Sequence, residues 1–282
     1  MYLYNSQISE NKKIFLLFFL TFLVRVPFII FWGDKNLENE WDIIINNLVD
    51  HGKFSLFSFE DFLVPNVFMP PLYPFYLYFF KMFNLSNDIY ILVILFSQSI
   101  LSSLSVIIFY HINKNFFSVK LSLVGAAIFS LLPLHVYACG QISSIILQSF
   151  LTITFFYFFF KILKKNNLLN ICFLSLSSGL LILLRGEFIA LFLLAIVYLK
   201  MFFKINTKNI IILIFLTFIV ISPYLARNIL VLETFTITKS IGYNLWKGNN
   251  PNATTGGNPN LGSNFKNEAS NDKNYDIFDI QI

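Results

Sequence analysis

Apolar runs of about 20 residues recur along this 282-residue chain, each long enough to cross the ~30 Å hydrocarbon core of a bilayer. They lie near 14–32, 71–84, 88–110, 118–138, 142–163, 167–184, 186–200 and 209–226. Only 12% of residues are charged and 56% are hydrophobic, against roughly 25% charged in a soluble domain. No water-soluble fold of this length could hide so much apolar surface. A β-barrel would read as ~10-residue alternating segments, and none occur. The expected fold class is all-α, a polytopic transmembrane helical bundle. No small-residue cleavage site follows the first run, which reads as an uncleaved anchor.

The net charge of +5 does not point to nucleic acid, because the lysines sit in clusters at the ends of apolar runs. Lys12-Lys13, Lys161/Lys164/Lys165 and Lys200/Lys204/Lys208 are topology signals under the positive-inside rule. They place the N-terminus in the cytoplasm, with the 33–70 loop and the polar tail after Arg227 outside. Two outside loops require an odd number of crossings, whereas the runs number eight. The loop sides carry more weight than the count. The run 71–84 has 14 residues, about 21 Å of helix, so it is tilted, extended or re-entrant, and 186–200 is equally short. The expected organisation is a transmembrane module over 1–226, with an extracytoplasmic polar loop over 227–282. Cys139 and Cys172 read as small buried hydrophobes.

Acidic residues are distributed unevenly. Only Asp88 and Glu187 occur between residues 62 and 232, yet Asp34, Glu38, Glu40, Asp42, Asp50, Glu60 and Asp61 crowd into 33–61. Chemistry that needs a base or acid has its obvious place in this loop, although most such carboxylates in any protein are solvated surface charges. Trp41, Ile44, Ile45 and Leu48 fall at i, i+3, i+4 and i+7, one face of an amphipathic helix. That helix is expected to lie in the membrane surface, apolar face down, with Asn39, Asp42, Asn46, Asn47 and Asp50 toward water. Gly52 fits its C-terminal cap, and Pro65, Pro70, Pro71 and Pro74 stiffen the return.

Elsewhere ionisable groups are sparse. Arg25 lies midway through the first run, and Arg185 and Glu187 sit between two runs. Charge at membrane depth costs at least ~2.5 kcal/mol on insertion scales, so such groups face a cavity or a partner or snorkel to the interface. Arg185 near the outer interface suits bidentate phosphate contacts. Glu187, two residues on, shares no helical face with it. His135 reads as a satisfied core or interface residue, since no His/Cys/Asp cluster has zinc spacing. The chain has no GxGxxG, Walker A or Gly-x-Ser-x-Gly motif, which removes support for ATP-driven transport and serine hydrolysis. Asn252-Ala253-Thr254 matches a glycosylation acceptor, a short pattern of low specificity.

Four stretches in order carry a resemblance. The first is Asn39-Glu40-Trp41-Asp42 with Ile45-Asn46-Asn47-Leu48, Gly52-Lys53-Phe54-Ser55 and Pro70-Pro71-Leu72-Tyr73-Pro74. The others are Leu183-Leu184-Arg185-Gly186-Glu187, Ser222-Pro223-Tyr224 with Arg227-Asn228, and Gly242-Tyr243-Asn244-Leu245-Trp246-Lys247-Gly248-Asn249-Asn250-Pro251. Together they resemble GT-C-type membrane glycosyltransferases of the family 39-like group, which includes protein O-mannosyltransferases and lipid A aminoarabinose transferases. The resemblance implies a GT-C-like bundle in the plasma (inner) membrane with an extracytoplasmic active site. It implies a polyprenyl-phosphate-linked sugar donor and a lipid, glycan or protein acceptor. Glu40 matches the loop carboxylate, the candidate base that deprotonates the acceptor hydroxyl; Arg185 and Arg227 are candidates for steadying the leaving phosphate, and Asp42 and Asn249 are further substrate-binding candidates. The sequence leaves open whether a divalent metal assists the donor phosphate.

Two departures stand out. Relatives often carry an acidic residue after the P-x-x-x-Y segment, whereas Gln141-Ile142-Ser143-Ser144-Ile145-Ile146 has none. Relatives also continue with further spans, so the resemblance implies a chain lacking the C-terminal part. Two other readings stay open: a truncated or accessory membrane subunit, and a transporter of a lipid-linked substrate, which would use broken helices in repeated halves and charges along a mid-membrane path.

Overall fold

The computed structural model describes residues 2–37, 39–59, 62–65 and 67–239. Glu38, Glu60, Asp61, the 242–251 motif with Asn249, and Asn252 lie outside the described residues. The elements in order are α1 (Tyr2–Trp32), α2 (Asn39–His51), β1 (Ser55–Phe59), β2 (Phe62–Pro65), α3 (Leu72–Lys81), α4 (Asn87–Asn113), α5 (Val119–Ser130), α6 (Pro133–Cys139), α7 (Ile145–Lys164), α8 (Leu168–Leu184), α9 (Phe188–Met201) and α10 (Thr207–Leu232). Four helices are long and apolar enough to cross a membrane: α1 from Glu10, α4, α7 and α10. The bent pair α5–α6 makes a fifth. The bundle has polar groups inside and hydrocarbon outside. Ser102, Ser103, Ser105, Ser175 and Ser178 are buried, while Phe15, Leu194 and Phe215 are exposed, as a lipid solvent demands.

Contacts define the two ends of the bundle. At the lysine end, Glu10 pairs with Lys114 after α4, and Lys164 at the end of α7 donates to Asn115 Oδ1 at 2.6 Å. Asn167 and Asn206 cap α8 and α10 there, accepting from Asn170 N–H at 3.0 Å and Lys208 N–H at 3.1 Å. At the loop end, Asp34 bonds to the turn after α6, and Arg227 near the end of α10 reaches Phe54 O. Between these ends run the four long apolar helices and the bent pair α5–α6, with the shorter apolar helices α8 and α9 beside them. The remaining apolar run, 71–84, forms only the 10-residue α3, about 15 Å long. It stays at the loop end, antiparallel to the start of α4, where Tyr90 Oη donates to Leu77 O at 3.2 Å. The described start of the tail lies at the loop end too, where the Lys239 backbone N–H donates to Val67 O at 3.1 Å.

The run 118–138 is not one straight helix. Pro133 starts α6 and holds Leu132 at φ −59°, ψ 120°, because a residue before proline is pushed out of the helical region. The axes of α5 and α6 differ by 54°. The break frees carbonyls at the end of α5, and Arg25 serves one of them. Its Nη1 donates to Ser130 O at 3.3 Å and to Thr21 O at 2.7 Å, and its Nε to Ser102 Oγ at 2.9 Å. Arg25 is wholly buried, so it does not snorkel; a cation here complements the negative end of α5. His135 lies between Ser102 Oγ at 3.4 Å and Ser149 Oγ at 2.9 Å, a satisfied core histidine. Pro223 sits inside α10 without ending it. The carbonyl it leaves unpaired, Ile219 O, receives the Ser222 hydroxyl at 3.0 Å.

Small residues bring α8 and α10 together. Ser175 Oγ donates across to Leu213 O at 3.1 Å, and Thr217 Oγ1 to Ser175 O at 3.4 Å. A Cβ on Gly179 would lie 2.6 Å from Val220 Cβ, so only glycine permits this approach. Gly179→Leu is expected to destabilise the bundle by about 1–3 kcal/mol through overpacking, seen as a lowered melting temperature of the detergent-purified protein.

Candidate functional site at the loop end

The amphipathic pattern around Trp41 forms α2 as expected, and Gly52 follows it at φ +65°, where glycine carries no steric penalty. Its apolar face does not lie in lipid, however. Ile44 and Ile45 are fully buried in the same core as Leu77, Ile91 and Leu95. The face covers protein because α3 and β1 pack beneath it. Asp42 and Asp50 are exposed as expected, but Asn46 and Asn47 are half-buried, and Asn47 Nδ2 donates to Ser55 O at 3.0 Å. The all-α expectation also misses a hairpin: β1 and β2 pair antiparallel, with an irregularity between Ser55 and Phe57. The clustered prolines of the return masked its short strands.

Glu40 sits in the first turn of α2, half-buried, with no hydrogen-bond or ion-pair partner among the described residues. Beside it, Trp41 packs edge-on against Tyr73 at 5.0 Å. Asp42 accepts from Asn46 Nδ2 at 3.1 Å, one turn along the same helix. Below Trp41 runs a polar chain that sequence reasoning missed. Tyr73 Oη donates to Gln98 Oε1 at 3.0 Å, and Gln98 Nε2 donates to Gln141 O at 2.9 Å. Burial pushes the Tyr73 phenol well above its usual range and that of Tyr76, bonded to Ser97, up to about 12. Both remain protonated, so Tyr73 is a fixed O–H donor. The signal for this chain was Gln98, an amide deep in an apolar run.

Asp34 is the carboxylate of the loop that the structure uses most heavily. Its backbone N–H donates to Gly140 O at 2.8 Å, and its Oδ2 accepts from Ile142 N–H at 2.7 Å. It thereby fastens the end of α1 to the turn that leads into α7. Asp34 and Ile142 are 108 positions apart in the chain, which no linear motif could reveal.

The two candidate arginines differ. Arg185 caps α8 in extended conformation, φ −153°, ψ 115°, so the helical-face argument against a pairing with Glu187 does not apply. Its Nη1 lies 3.3 Å from Glu187 Oε1, with the side chains 42% and 69% exposed. Such a surface pair is worth little. Arg227 is half-buried and engaged: Nη1 donates to Asn228 Oδ1 at 2.8 Å, Nη2 to Phe54 O at 3.2 Å, and its guanidinium lies 5.7 Å from the Phe54 ring centroid. Asn228, fully buried, donates to Thr236 O at 2.6 Å, and Thr238 Oγ1 donates to Phe68 O at 2.9 Å. Arg227 and its neighbours therefore tie the end of α10 to both sides of the hairpin.

Among the described residues no group of three or more His, Cys, Asp or Glu is placed to hold a metal ion. No protein-family model matches the chain, and no curated protein matches it.

Arg227→Ala is expected to leave the bundle folded but to loosen the turn around Phe54. Amide exchange over residues 53–56 should rise about tenfold, the equivalent of one charge-assisted hydrogen bond; mass-spectrometric hydrogen exchange reads this directly.

Proposed function

We propose that the chain is a GT-C-type membrane glycosyltransferase, moving a sugar from a polyprenyl-phosphate donor to an acceptor hydroxyl on the outer face of the membrane. The observation that carries this reading is the state of Glu40: a half-buried carboxylate with no described partner, at the end of the bundle that also holds Arg185. In this mechanism the Glu40 carboxylate takes the acceptor hydroxyl proton while the acceptor oxygen attacks the anomeric carbon. The bond from that carbon to the lipid phosphate breaks, and the phosphate leaves with the electron pair. Arg185 steadies the charge developing on it, exchanging its weak contact with Glu187 for a bidentate one. Arg227 acts through Phe54, as a positioning residue. Asp42 and Asn249 are proposed substrate contacts on the resemblance alone.

The lysine end is assigned to the cytoplasm and the loop end to the outside, in the plasma membrane. With Cys172 replaced by Ser, a cysteine at exposed Asp50 should react with an impermeant maleimide on intact cells. One at exposed Lys204 should react only after lysis. The reverse pattern overturns the orientation and the external active site with it.

Glu40→Gln should reduce transfer from radiolabelled undecaprenyl-phosphate sugars by about 10²–10⁴-fold in membranes expressing equal amounts of protein. Unchanged label would remove Glu40 from the mechanism. The bend between α5 and α6, with Arg25 at its break, favours a lipid-linked substrate transporter as the second reading. Donor translocated across proteoliposomes without label reaching any acceptor would select it.

A further inference from the structure

At the end opposite the loop, a cavity of about 340 Å³ opens between the last turns of α4 and α7, within the ~300–1,000 Å³ range of ligand pockets. Its polar lining is Lys114, Lys161, Lys164, His111, Asn115 and Tyr157. Three ammonium groups converge on this space, and Glu10, the one described carboxylate beside it, is paired with Lys114. Among the described residues Lys161 and Lys164 have no acidic partner. Lys161 Nζ lies 4.6 Å from the Tyr157 ring centroid, and Lys164 donates to Asn115 Oδ1 at 2.6 Å.

Helix ends explain part of this charge, because α4 and α7 both finish here and cations beside terminal carbonyls gain about 0.3–1 kcal/mol. They do not explain why the cations border a shared cavity together with an amide and a phenol. Held around one space, like charges repel unless an anion lies between them. Depth names the anion. The cavity sits where the apolar helices end, beside Phe116 and Phe160, whose rings meet edge-on at 5.3 Å. Tyrosine and lysine at this level, here Tyr157 with Lys161 and Lys164, mark the headgroup layer of a bilayer, and the anion of that layer is a lipid phosphate.

We infer that this cavity binds the phosphate-bearing headgroup of an anionic membrane lipid. Lys114, Lys161 and Lys164 supply point charges, and Asn115 and Tyr157 supply hydrogen-bonding groups. The inference is independent of the transferase reading, since it concerns the other end of the molecule.

The test uses the full chain, purified and exchanged into mixed micelles containing phosphatidylglycerol or phosphatidylcholine. Retained lipid is measured by native mass spectrometry and stability by thermal melting. Phosphatidylglycerol is expected to be retained and to raise the melting temperature, phosphatidylcholine to do neither. Lys161→Gln/Lys164→Gln should weaken retention about 30-fold, from the attraction of two lysines to an anionic lipid. Lys161→Arg/Lys164→Arg should keep it, which separates lost charge from misfolding. Lys204→Gln/Lys208→Gln removes equal charge from the same end and should change little. Equal losses in the two Gln pairs would show diffuse attraction without a site and overturn the inference. So would absence of retention in the unaltered chain. A melting shift from inorganic phosphate as large as that from the lipid would assign the cavity to free phosphate instead.

Discussion

Hydrocarbon offers a backbone amide no partner, and the architecture follows from that constraint. Each apolar segment must close its own hydrogen bonds, which leaves helices as the available form. Where a helix is interrupted, a side chain must stand in. Arg25 does so at the end of α5, and Ser222 does so one residue before Pro223. Buried serines of α4 and α8 return their hydroxyls to their own helix, as Ser103 does to Ser99 O at 2.8 Å and Ser178 to Leu174 O at 2.6 Å. The interior is a large apolar core interspersed with buried hydroxyls, whose small side chains let helices approach closely.

The same solvent sorts charge to the ends. Ten lysines in or beside α1, α4, α5, α7, α8, α9 and α10 gather at one end with Glu10, while the described carboxylates other than Glu10 lie at the other. Each end then solves a different problem. The loop end builds a lid from α2, the hairpin and α3, and anchors it three times: Asp34 to the start of α7, Arg227 to Phe54, and the stretch 236–239 to residues 67 and 68. Glu40, half-buried in this lid, has no partner among the described residues. The lysine end has few acids to balance its cations and encloses a cavity between them.

Reading the residues alone, the helical membrane class, the position of every long helix, the amphipathic α2 and its glycine stop were all legible, because each depends on the local period of hydrophobicity. The break at Pro133 was legible in principle, since proline acts on its own neighbours, but a continuous apolar run concealed it. Other features depended on partners far along the chain. Arg185 could be paired with Glu187 only once the backbone between α8 and α9 was seen to be extended. Asp34 looked like one more loop acid until it met Ile142, 108 positions away. The hold of Arg227 on Phe54 O joins positions 173 apart.

The sequence by itself determined that this chain lies in a membrane, which segments are helical, and where charge is permitted, because transfer from water to hydrocarbon is a property of each segment alone. Only the tertiary structure decided that α3 turns back instead of crossing, that α2 rests on protein and not lipid, and which polar side chains are committed to partners. Those outcomes turn on which surfaces meet, and a linear pattern of hydrophobicity holds no record of that.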